Sequence, residues 1–222
     1  MCGGGTLIGR RDGCEPSGVG SIPTRHTKGD SVIYFTSDTH FGHRKLIAGG
    51  GGDDGRPPRP FASIDEMDEA LIANWNSVVK PNDTVFHLGD VSFRRNAETR
   101  AIIHRLNGVK TLVAGNHDKG KGPLAWQKNG FDIYQKEGWG LVLLAGTRDW
   151  SGEITLIHNP ADLFPEGEVR AGTPIVLCGH VHEKWKVKFI PHHIIVNVGV
   201  DQWNFTPVSL QTILAIPEVT RV

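Results

Sequence analysis

The stretch SVIYFTSDTHFGH, residues 31–43, decides the fold of this chain. It opens with five β-branched, aromatic or small residues and no breaker, which predicts a buried strand. Asp38 and His40 follow at the carboxyl end of that strand, and their spacing lets both side chains point to one side of the backbone. A carboxylate oxygen and an imidazole nitrogen placed in this way suit a divalent metal ion such as Mn, Fe, Ni or Zn.

The composition predicts a single globular unit. The chain has 222 residues, and 38% of them are hydrophobic, which is enough for a substantial core. The formal net charge is zero, so no overall positive field marks a nucleic-acid binder. The cysteines, Cys2, Cys14 and Cys178, are odd in number and form no C-x-x-C pair. We therefore expect a cytoplasmic protein without disulfides, and no membrane partner, because no apolar run has the length of a membrane span.

Two segments are rich in residues that break regular structure. Residues 1–30 combine Gly, Ser, Thr and Pro without a sustained period, and we expect a flexible N-terminal arm before one domain over residues 31–222. Residues 49–60, GGGGDDGRPPRP, are expected to form a surface loop near the first metal pair. This loop either covers the site as a lid, with Arg56 or Arg59 touching an anionic substrate, or is a solvated tether.

Strands and helices alternate in the next part of the chain. The sequence SIDE at residues 63–66 predicts a capping box that opens an amphipathic helix. A predicted strand over 84–88 delivers Asp90, and after another helix a strand over 109–114 delivers the cluster NHD at 116–118. Polar residues after each strand are typical of an α/β unit whose ligand site lies along the carboxyl edge of the sheet.

The second half of the chain consists of short apolar runs separated by turn residues. We expect a second sheet, mixed or antiparallel, packed against the first. Its predicted strands cover residues 131–134, 140–145, 154–158, 174–178, 185–190 and 193–198. Two of these strands end in histidine, with His158 after one and both His180 and His182 after another.

Together the strand ends supply enough ligands for two metal ions. One predicted set is Asp38, His40 and His182, and the other is Asn116, His158 and His180. Asp90 is left free to bridge both sets, which would hold the two ions about 3.5–4 Å apart around a shared water or hydroxide. Gly89, Gly115 and Gly179 directly precede three of these ligands, and we expect them to let the backbone turn sharply off each strand.

The chain resembles the calcineurin-like metallophosphoesterase superfamily in the identity and order of its motifs. These are Asp38-x-His40, Gly89-Asp90, Gly115-Asn116-His117-Asp118, His158 and Gly179-His180-Val181-His182. Three further motifs are similar to the small stand-alone enzymes of bacteria and their phages: Phe41-Gly42-His43, Asn74-Trp75-Asn76 and Asn197-Val198-Gly199-Val200-Asp201. The resemblance implies an α/β fold, a four-layer αββα sandwich of two mixed β-sheets with a dinuclear metal site at the strand ends.

The resemblance also implies a mechanism. A metal-bridging hydroxide would attack phosphorus in line, the ions would polarise the phosphoryl oxygens, and His117 would stabilise or protonate the leaving oxygen. Asp118 would orient His117 by accepting a hydrogen bond from its other ring nitrogen. His43 either reaches the substrate as a further catalytic residue or has a structural role beside the glycine turn.

The predicted activity is hydrolysis of nucleotide-like phosphodiesters, such as 2′,3′-cyclic nucleotides or RNA ends. Two divalent ions are expected, with Mn as the first choice and Fe, Ni, Co or Zn as alternatives. A phosphomonoesterase acting on nucleotides or phosphoproteins is the alternative, because the same two-metal clamp serves both reactions. A nuclease is disfavoured because the chain has no room for a large capping domain, and an inert interaction scaffold because it has no need of so many buried polar groups. The expected partner is a small phosphoester substrate, without a stable nucleic-acid complex.

Overall fold

The computed structural model describes residues 20–23, 31–48, 57–136, 141–146, 151–163, 174–191, 193–217 and 219. The strands are β1 (Gly20–Pro23), β2 (Ile33–Thr36), β3 (Thr84–His87), β4 (Val109–Val113), β5 (Ile133–Gln135), β6 (Leu141–Gly146), β7 (Ser151–Leu156), β8 (Ile175–Cys178), β9 (Val187–Ile190), β10 (His193–Asn197) and β11 (Val208–Ser209). The α-helices are α1 (Ile64–Val78), α2 (Asn96–Ile103), α3 (Pro123–Lys128) and α4 (Leu210–Leu214). They build two packed sheets, with helices against the outer face of one of them.

The first sheet carries the predicted strand–helix alternation. Its order is β11-β2-β3-β4-β5, with β2 to β5 parallel and β11 antiparallel to β2. Helices α1, α2 and α3 bury Trp75, Ile103 and Trp126 against Val85 and Leu112 on its outer face. Successive side chains of a strand point to opposite faces. The neighbours of Val85 and Leu112 in sequence, Phe86 and Val113, therefore face the second sheet.

Helix α1 begins as the sequence predicted. The hydroxyl of Ser63 accepts a hydrogen bond from the amide of Glu66 at 3.1 Å, so one of the free amides of the first turn is satisfied. The carboxylate of Glu66 turns back to the amide of Ala62 rather than to that of Ser63. The helix ends at Val78, before Pro81, because proline has no backbone N–H with which to continue the helical hydrogen bonds.

The second sheet is mixed, with the order β1-β6-β7-β8-β10-β9. Parallel pairs join β1 to β6, β7 to β8 and β8 to β10, while β6–β7 and β9–β10 are antiparallel. The main core lies between the sheets, where Phe35 and Phe86 of one pack with Leu143 and Leu177 of the other. The prediction of an α/β fold with two packed mixed sheets is confirmed.

One strand was predicted in the wrong sheet, and one further strand was not predicted. The run predicted at 131–134 forms β5, which pairs with β4 in the first sheet and not with the second. The amide of Asp132 donates to the carbonyl of Lys110, and its carboxylate accepts from the Lys110 amide, so this pairing begins one residue before the strand. Within the predicted arm, Gly20–Pro23 is an edge strand parallel to β6.

The remaining predictions about flexible segments fall on other residues. The rest of the arm and residues 49–56 of the predicted loop lie outside the described residues, so the domain boundary and the lid remain predictions. Across the described ranges, no helix combines the length and the apolar character that a membrane crossing requires.

Candidate metal centre

The predicted ligands lie in loops at the carboxyl ends of strands from both sheets. Asp38 and His40 follow β2, Asp90 follows β3, Asn116 follows β4, His158 follows β7, and His180 and His182 follow β8. The amide of Asp38 donates to the carbonyl of Gly89 at 3.0 Å, which joins two loops of the first sheet. The amide of His180, from the second sheet, donates to the Asp38 carboxylate at 3.0 Å. The two sheets therefore deliver these side chains to one place.

The backbone of this site is unusual. Seven non-glycine residues in the described part of the chain have positive φ, and five of them are predicted ligands. They are Asp38 (φ 56), His40 (φ 50), Asp90 (φ 59), His180 (φ 71) and His182 (φ 47). Left-handed backbone is rare for residues with a Cβ, and such strain persists where the surrounding structure enforces it, often at functional sites.

Asp38, His40 and His182 converge on one point. Nε2 of His40 lies 3.2 Å from Nε2 of His182, and these two nitrogens are 3.8 and 3.7 Å from Oδ1 of Asp38. Each separation is less than twice a metal–nitrogen bond of about 2.1 Å, so one ion can reach all three atoms. Burial, and then the neighbouring His182, lower the pKa of His40 well below its usual value, so its imidazole is neutral and available as a ligand.

The other predicted set also comes together. Oδ1 of Asn116 is 2.9 Å from Nδ1 of His180 and 3.0 Å from Nε2 of His158. Oδ2 of Asp90 is 3.5 Å from Nε2 of His158 and 3.6 Å from Nε2 of His40. The carboxylate of Asp90 thus lies between the two sets.

His158 and Asp90 form an electrostatic pair inside this site. The Nδ1 of His158 donates to the carbonyl of Leu88 at 2.6 Å, which turns Nε2 toward Asp90. Burial alone would lower the pKa of His158, but its contact with Asp90 raises the pKa to about 9. Burial would raise the pKa of Asp90, yet His158 holds it below the usual value. A cation that binds here therefore replaces a proton.

The donor set fits a divalent metal ion. It consists of carboxylate and amide oxygens and imidazole nitrogens, which are ligands for metals such as Mn, Fe, Co, Ni and Zn. Two groups of three buried side chains, Asp38 with His40 and His182, and Asp38 with Asp90 and His158, have their ligand atoms within 4.8 Å of one another. Cys178 is buried and free, and its thiol is not part of either group.

The three predicted glycines allow close packing more than sharp turns. Gly89 alone among them has a positive φ, at +93°. A Cβ on Gly115 would lie 2.2 Å from Oδ1 of Asp90, and one on Gly179 would lie 2.0 Å from Oγ of Ser37. Gly115 and Gly179 are therefore required because ligand loops approach their backbone closely.

His117 lies at the open side of the site, and its neighbour Asp118 contacts the backbone of the ligand loops. The side chain of His117 is 47% exposed, and its Nε2 is 4.0 Å from Oδ2 of Asp90. Asp118 is buried, and its carboxylate accepts hydrogen bonds from the amides of Asp90 (2.8 Å), Val91 (3.1 Å) and Gly115 (2.9 Å). These three hydrogen bonds to backbone amides hold the two ligand loops together, and the proposed contact of Asp118 with the His117 ring stays a prediction.

His43 and Phe93 form an aromatic wall beside His117. The His43 ring stacks on Phe93 with centroids 3.8 Å apart, and Phe93 lies 4.9 Å from the His117 ring. Burial, followed by the nearby His117, lowers the pKa of His43 to about 4, so His43 is neutral near pH 7. Sequence analysis missed Phe93, which is 43% exposed and stands in a loop after β3 without a local motif.

The prediction that Arg59 touches the substrate was wrong. Its side chain is buried and pairs with Asp201 at 2.8 Å. Although burial opposes the charged form, hydrogen bonds from His182 and Arg59 hold the pKa of Asp201 well below its usual value. The sequence drew attention to Asp201 as part of a motif, but it gave no indication of this partner. Arg56, the other predicted contact, lies outside the described residues.

The fold and the site together define a class of protein. Two packed mixed sheets present buried Asp and His side chains at the carboxyl ends of their strands, in a geometry suited to divalent metal ions. Residues 32–215 match the family model described as the calcineurin-like phosphoesterase superfamily domain. The chain belongs to this superfamily, and membership supports metal-dependent hydrolysis of phosphoesters as its activity.

Similar proteins occur in archaea, bacteria and phages. An uncharacterised protein of Methanocaldococcus jannaschii is 31% identical over 198 residues, which cover 86% of this chain and 93% of the relative. The gene 66 protein of Mycobacterium phage L5 is 28% identical, over 78% of this chain and 88% of its own length. A crystal structure of a protein of unknown function from Aquifex aeolicus is 26% identical, with a TM-score of 0.59, and covers 83% of this chain and 98% of that one.

Proposed function

We propose that the protein is a dinuclear-metal phosphodiesterase that hydrolyses nucleotide-like diesters, such as 2′,3′-cyclic nucleotides. One observation carries this proposal: the carboxylate of Asp90 lies between the two ligand sets, 3.6 Å from His40 and 3.5 Å from His158. A shared carboxylate between two ligand sets is the arrangement that holds two ions close enough to act on one phosphoryl group.

The first ion would be held by Asp38, His40 and His182, and the second by Asn116, His158 and His180, with Asp90 shared. When bound, the ions would supply charge for the phosphoryl oxygens and an activated water for in-line attack. The chain contributes an acid at the open side. The backbone amide of His117 donates to Oδ1 of Asp90 at 2.9 Å, and its exposed ring is proposed to donate a proton to the leaving oxygen.

The aromatic wall favours a diester over a monoester. A diester carries a second organic group, which needs an apolar surface outside the charged centre. The exposed ring of Phe93 offers that surface 4.9 Å from the ring of His117. A flat base or aryl group can stack there, since stacked rings prefer centroid separations of about 4.5–7 Å. The ring of His43 stacks on Phe93, and we propose that His43 helps to position the substrate.

We also propose Mn as the working metal and the cytoplasm as the compartment. The ligand set holds no thiolate, and oxygen donors together with imidazole suit Mn. Cys178 is a free, buried thiol, which is compatible with a reducing environment.

The experiment that tests the proposal is hydrolysis by metal-stripped protein resupplied with Mn. The substrates are bis-(p-nitrophenyl) phosphate, mono-(p-nitrophenyl) phosphate and 2′,3′-cyclic AMP. We expect turnover of both diesters, loss of turnover in Asp90→Ala, and full turnover in the control Glu69→Ala, an exposed carboxylate on α1 that pairs with Arg105. Turnover of the monoester alone would instead identify a phosphomonoesterase, and inert protein with bound metal would contradict both activities.

A second variant separates catalysis from metal binding. His117→Ala should lose most turnover while its metal content stays near that of the parent, because the ring of His117 is exposed and outside both ligand sets. Equal loss of metal and activity would show that His117 is a ligand. Metal content is measured by elemental analysis of the purified protein.

A further inference from the structure

Arg59 is a buried cation at the edge of the metal centre. Its Nε and Nη2 donate to the two carboxylate oxygens of Asp201 at 2.8 and 2.9 Å. Nη2 also donates to the carbonyl of Asp38 at 2.7 Å, and Nη1 donates to the carbonyl of Thr39 at 3.0 Å. A single guanidinium therefore ties Asp201 to the turn that carries two predicted ligands. Its planar fork makes this multiple contact possible, which a lysine could not reproduce.

Asp201 continues this chain of contacts to His182. Its Oδ2 accepts a hydrogen bond from Nδ1 of His182 at 3.0 Å. A carboxylate can only accept, so the proton of the neutral imidazole is placed on Nδ1. The lone pair of Nε2 is then directed toward Asp38 and His40, which lie 3.7 and 3.2 Å away.

The same residues hold the strained turn of the first motif. Asp38 and His40 both have left-handed backbone, and the carbonyl groups of Asp38 and Thr39 point at the Arg59 guanidinium. Bonds from a charged donor are stronger than neutral ones, so they offset the strain of this backbone.

We propose that Arg59 and Asp201 are positioning residues of the metal centre. Asp201 fixes the tautomer of His182, and Arg59 holds both Asp201 and the Asp38–His40 turn in ligand geometry. This inference rests on the proposed metal-dependent function. It differs from a purely structural ion pair, because a structural pair would not set which nitrogen of His182 carries the proton.

The test is Asp201→Asn with Asp83→Asn as the matched control. Asp83 is also a buried carboxylate, but it accepts from the amides of Val32 and Lys80 in the first sheet. An amide at position 201 has one acceptor oxygen for three donors, and its NH₂ group would replace either Oδ1, which faces Nε of Arg59, or Oδ2, which faces both Nη2 of Arg59 and Nδ1 of His182. We expect the metal affinity to fall about 10- to 100-fold in Asp201→Asn, as for other partners of metal-binding histidines, and to stay at the parent value in Asp83→Asn.

The second readout does not require metal. Nitrogen NMR of the metal-free parent, assigned against His182→Gln, should show a proton on Nδ1 of His182 and a free Nε2. Asp201→Asn should shift this equilibrium toward Nε2–H. A parent in which Nε2 already carries the proton would overturn the inference.

Two further results distinguish failure of the positioning role from failure of the proposed metal-dependent function. Arg59→Lys keeps the charge but loses the fork, and it should weaken metal binding, whereas Arg105→Lys on the exposed pair with Glu69 should not. A parent that binds two ions and an Asp201→Asn variant that binds them equally well would overturn the inference alone. A parent that takes up no metal would overturn both the inference and the proposed function.

Discussion

Acidification should destabilise the protein through His87, a buried histidine of β3 outside the ligand sets. Its Nδ1 accepts from the amide of Gly89 at 3.2 Å, so the proton of the neutral ring is on Nε2, which donates to Oγ1 of Thr39 at 2.9 Å. The Thr39 hydroxyl donates in turn to the carbonyl of Val91. Burial lowers the pKa of His87 to about 3. A second proton, on Nδ1, would also point at the N–H of Gly89 and remove the hydrogen bond that Nδ1 accepts from it.

The magnitude follows from the two protonation equilibria. In the unfolded chain His87 takes up a proton near its usual pKa of 6.5, whereas in the folded protein it does so near 3. Its contribution to stability is therefore fully present above pH 6.5 and is lost as the pH falls toward 3. Between pH 7 and pH 5 the free energy of unfolding should fall by about 2 kcal/mol from this group alone, and by about 3 kcal/mol at pH 4.

The assay is guanidinium denaturation of the parent and His87→Gln at pH 7 and pH 5, with a chelator present to remove metal. Glutamine does not titrate, so the variant should lose about 2 kcal/mol less than the parent between these pH values, whatever its stability at pH 7. Other titrating groups are common to both proteins and cancel in this comparison. Equal losses would refute the reasoning, as would an NMR titration in which the His87 ring of the parent protonates between pH 7 and pH 4.

Three further predictions concern packing and substrate contact. Gly179→Ala should lower stability by about 1–3 kcal/mol, because its Cβ would lie 2.0 Å from Oγ of Ser37, while Gly120→Ala, with open space around its Cβ, should be near neutral by thermal melting. Phe93→Ala should raise KM for bis-(p-nitrophenyl) phosphate about 2- to 10-fold with less effect on kcat, and an unchanged KM would remove the ring from the substrate site. Trp75→Phe, which loses a partly buried 3.0 Å hydrogen bond to the carbonyl of Asn107, should lower the free energy of unfolding by about 2 kcal/mol in denaturant, and a change below about 0.5 kcal/mol would contradict that contact.

The predicted ligands could be found from sequence because their signals are local. A run of β-branched and aromatic residues predicted β2, and the spacing of Asp38 and His40 placed both after it. The same pattern repeated at other strand ends, so the topology of parallel strands brought the ligands together without any knowledge of long-range contacts.

The supporting residues could not be found in this way because their partners are distant in sequence. Asp118 accepts from the amide of Asp90, 28 positions away, and Arg59 pairs with Asp201, 142 positions away. A carboxylate next to a proposed catalytic histidine suggests a direct contact between the two, whereas in the structure the Asp118 carboxylate accepts from three backbone amides. The edge strand β5 was misassigned for a similar reason, since its short sequence does not record which sheet it joins.

The left-handed backbone of five predicted ligands has a consequence for how such a protein evolves. Each residue with a Cβ in this conformation is destabilising by about 1 kcal/mol relative to glycine, apart from any contact it makes. Glycine would relieve this strain, but at Asp38 and Asp90 it would also remove carboxylates that accept from the amides of His180 and His117. Laboratory selection for heat resistance alone should therefore enrich glycine first at His180, the left-handed ligand whose side chain is only half-buried, so such selection would remove a ligand faster than neutral drift would.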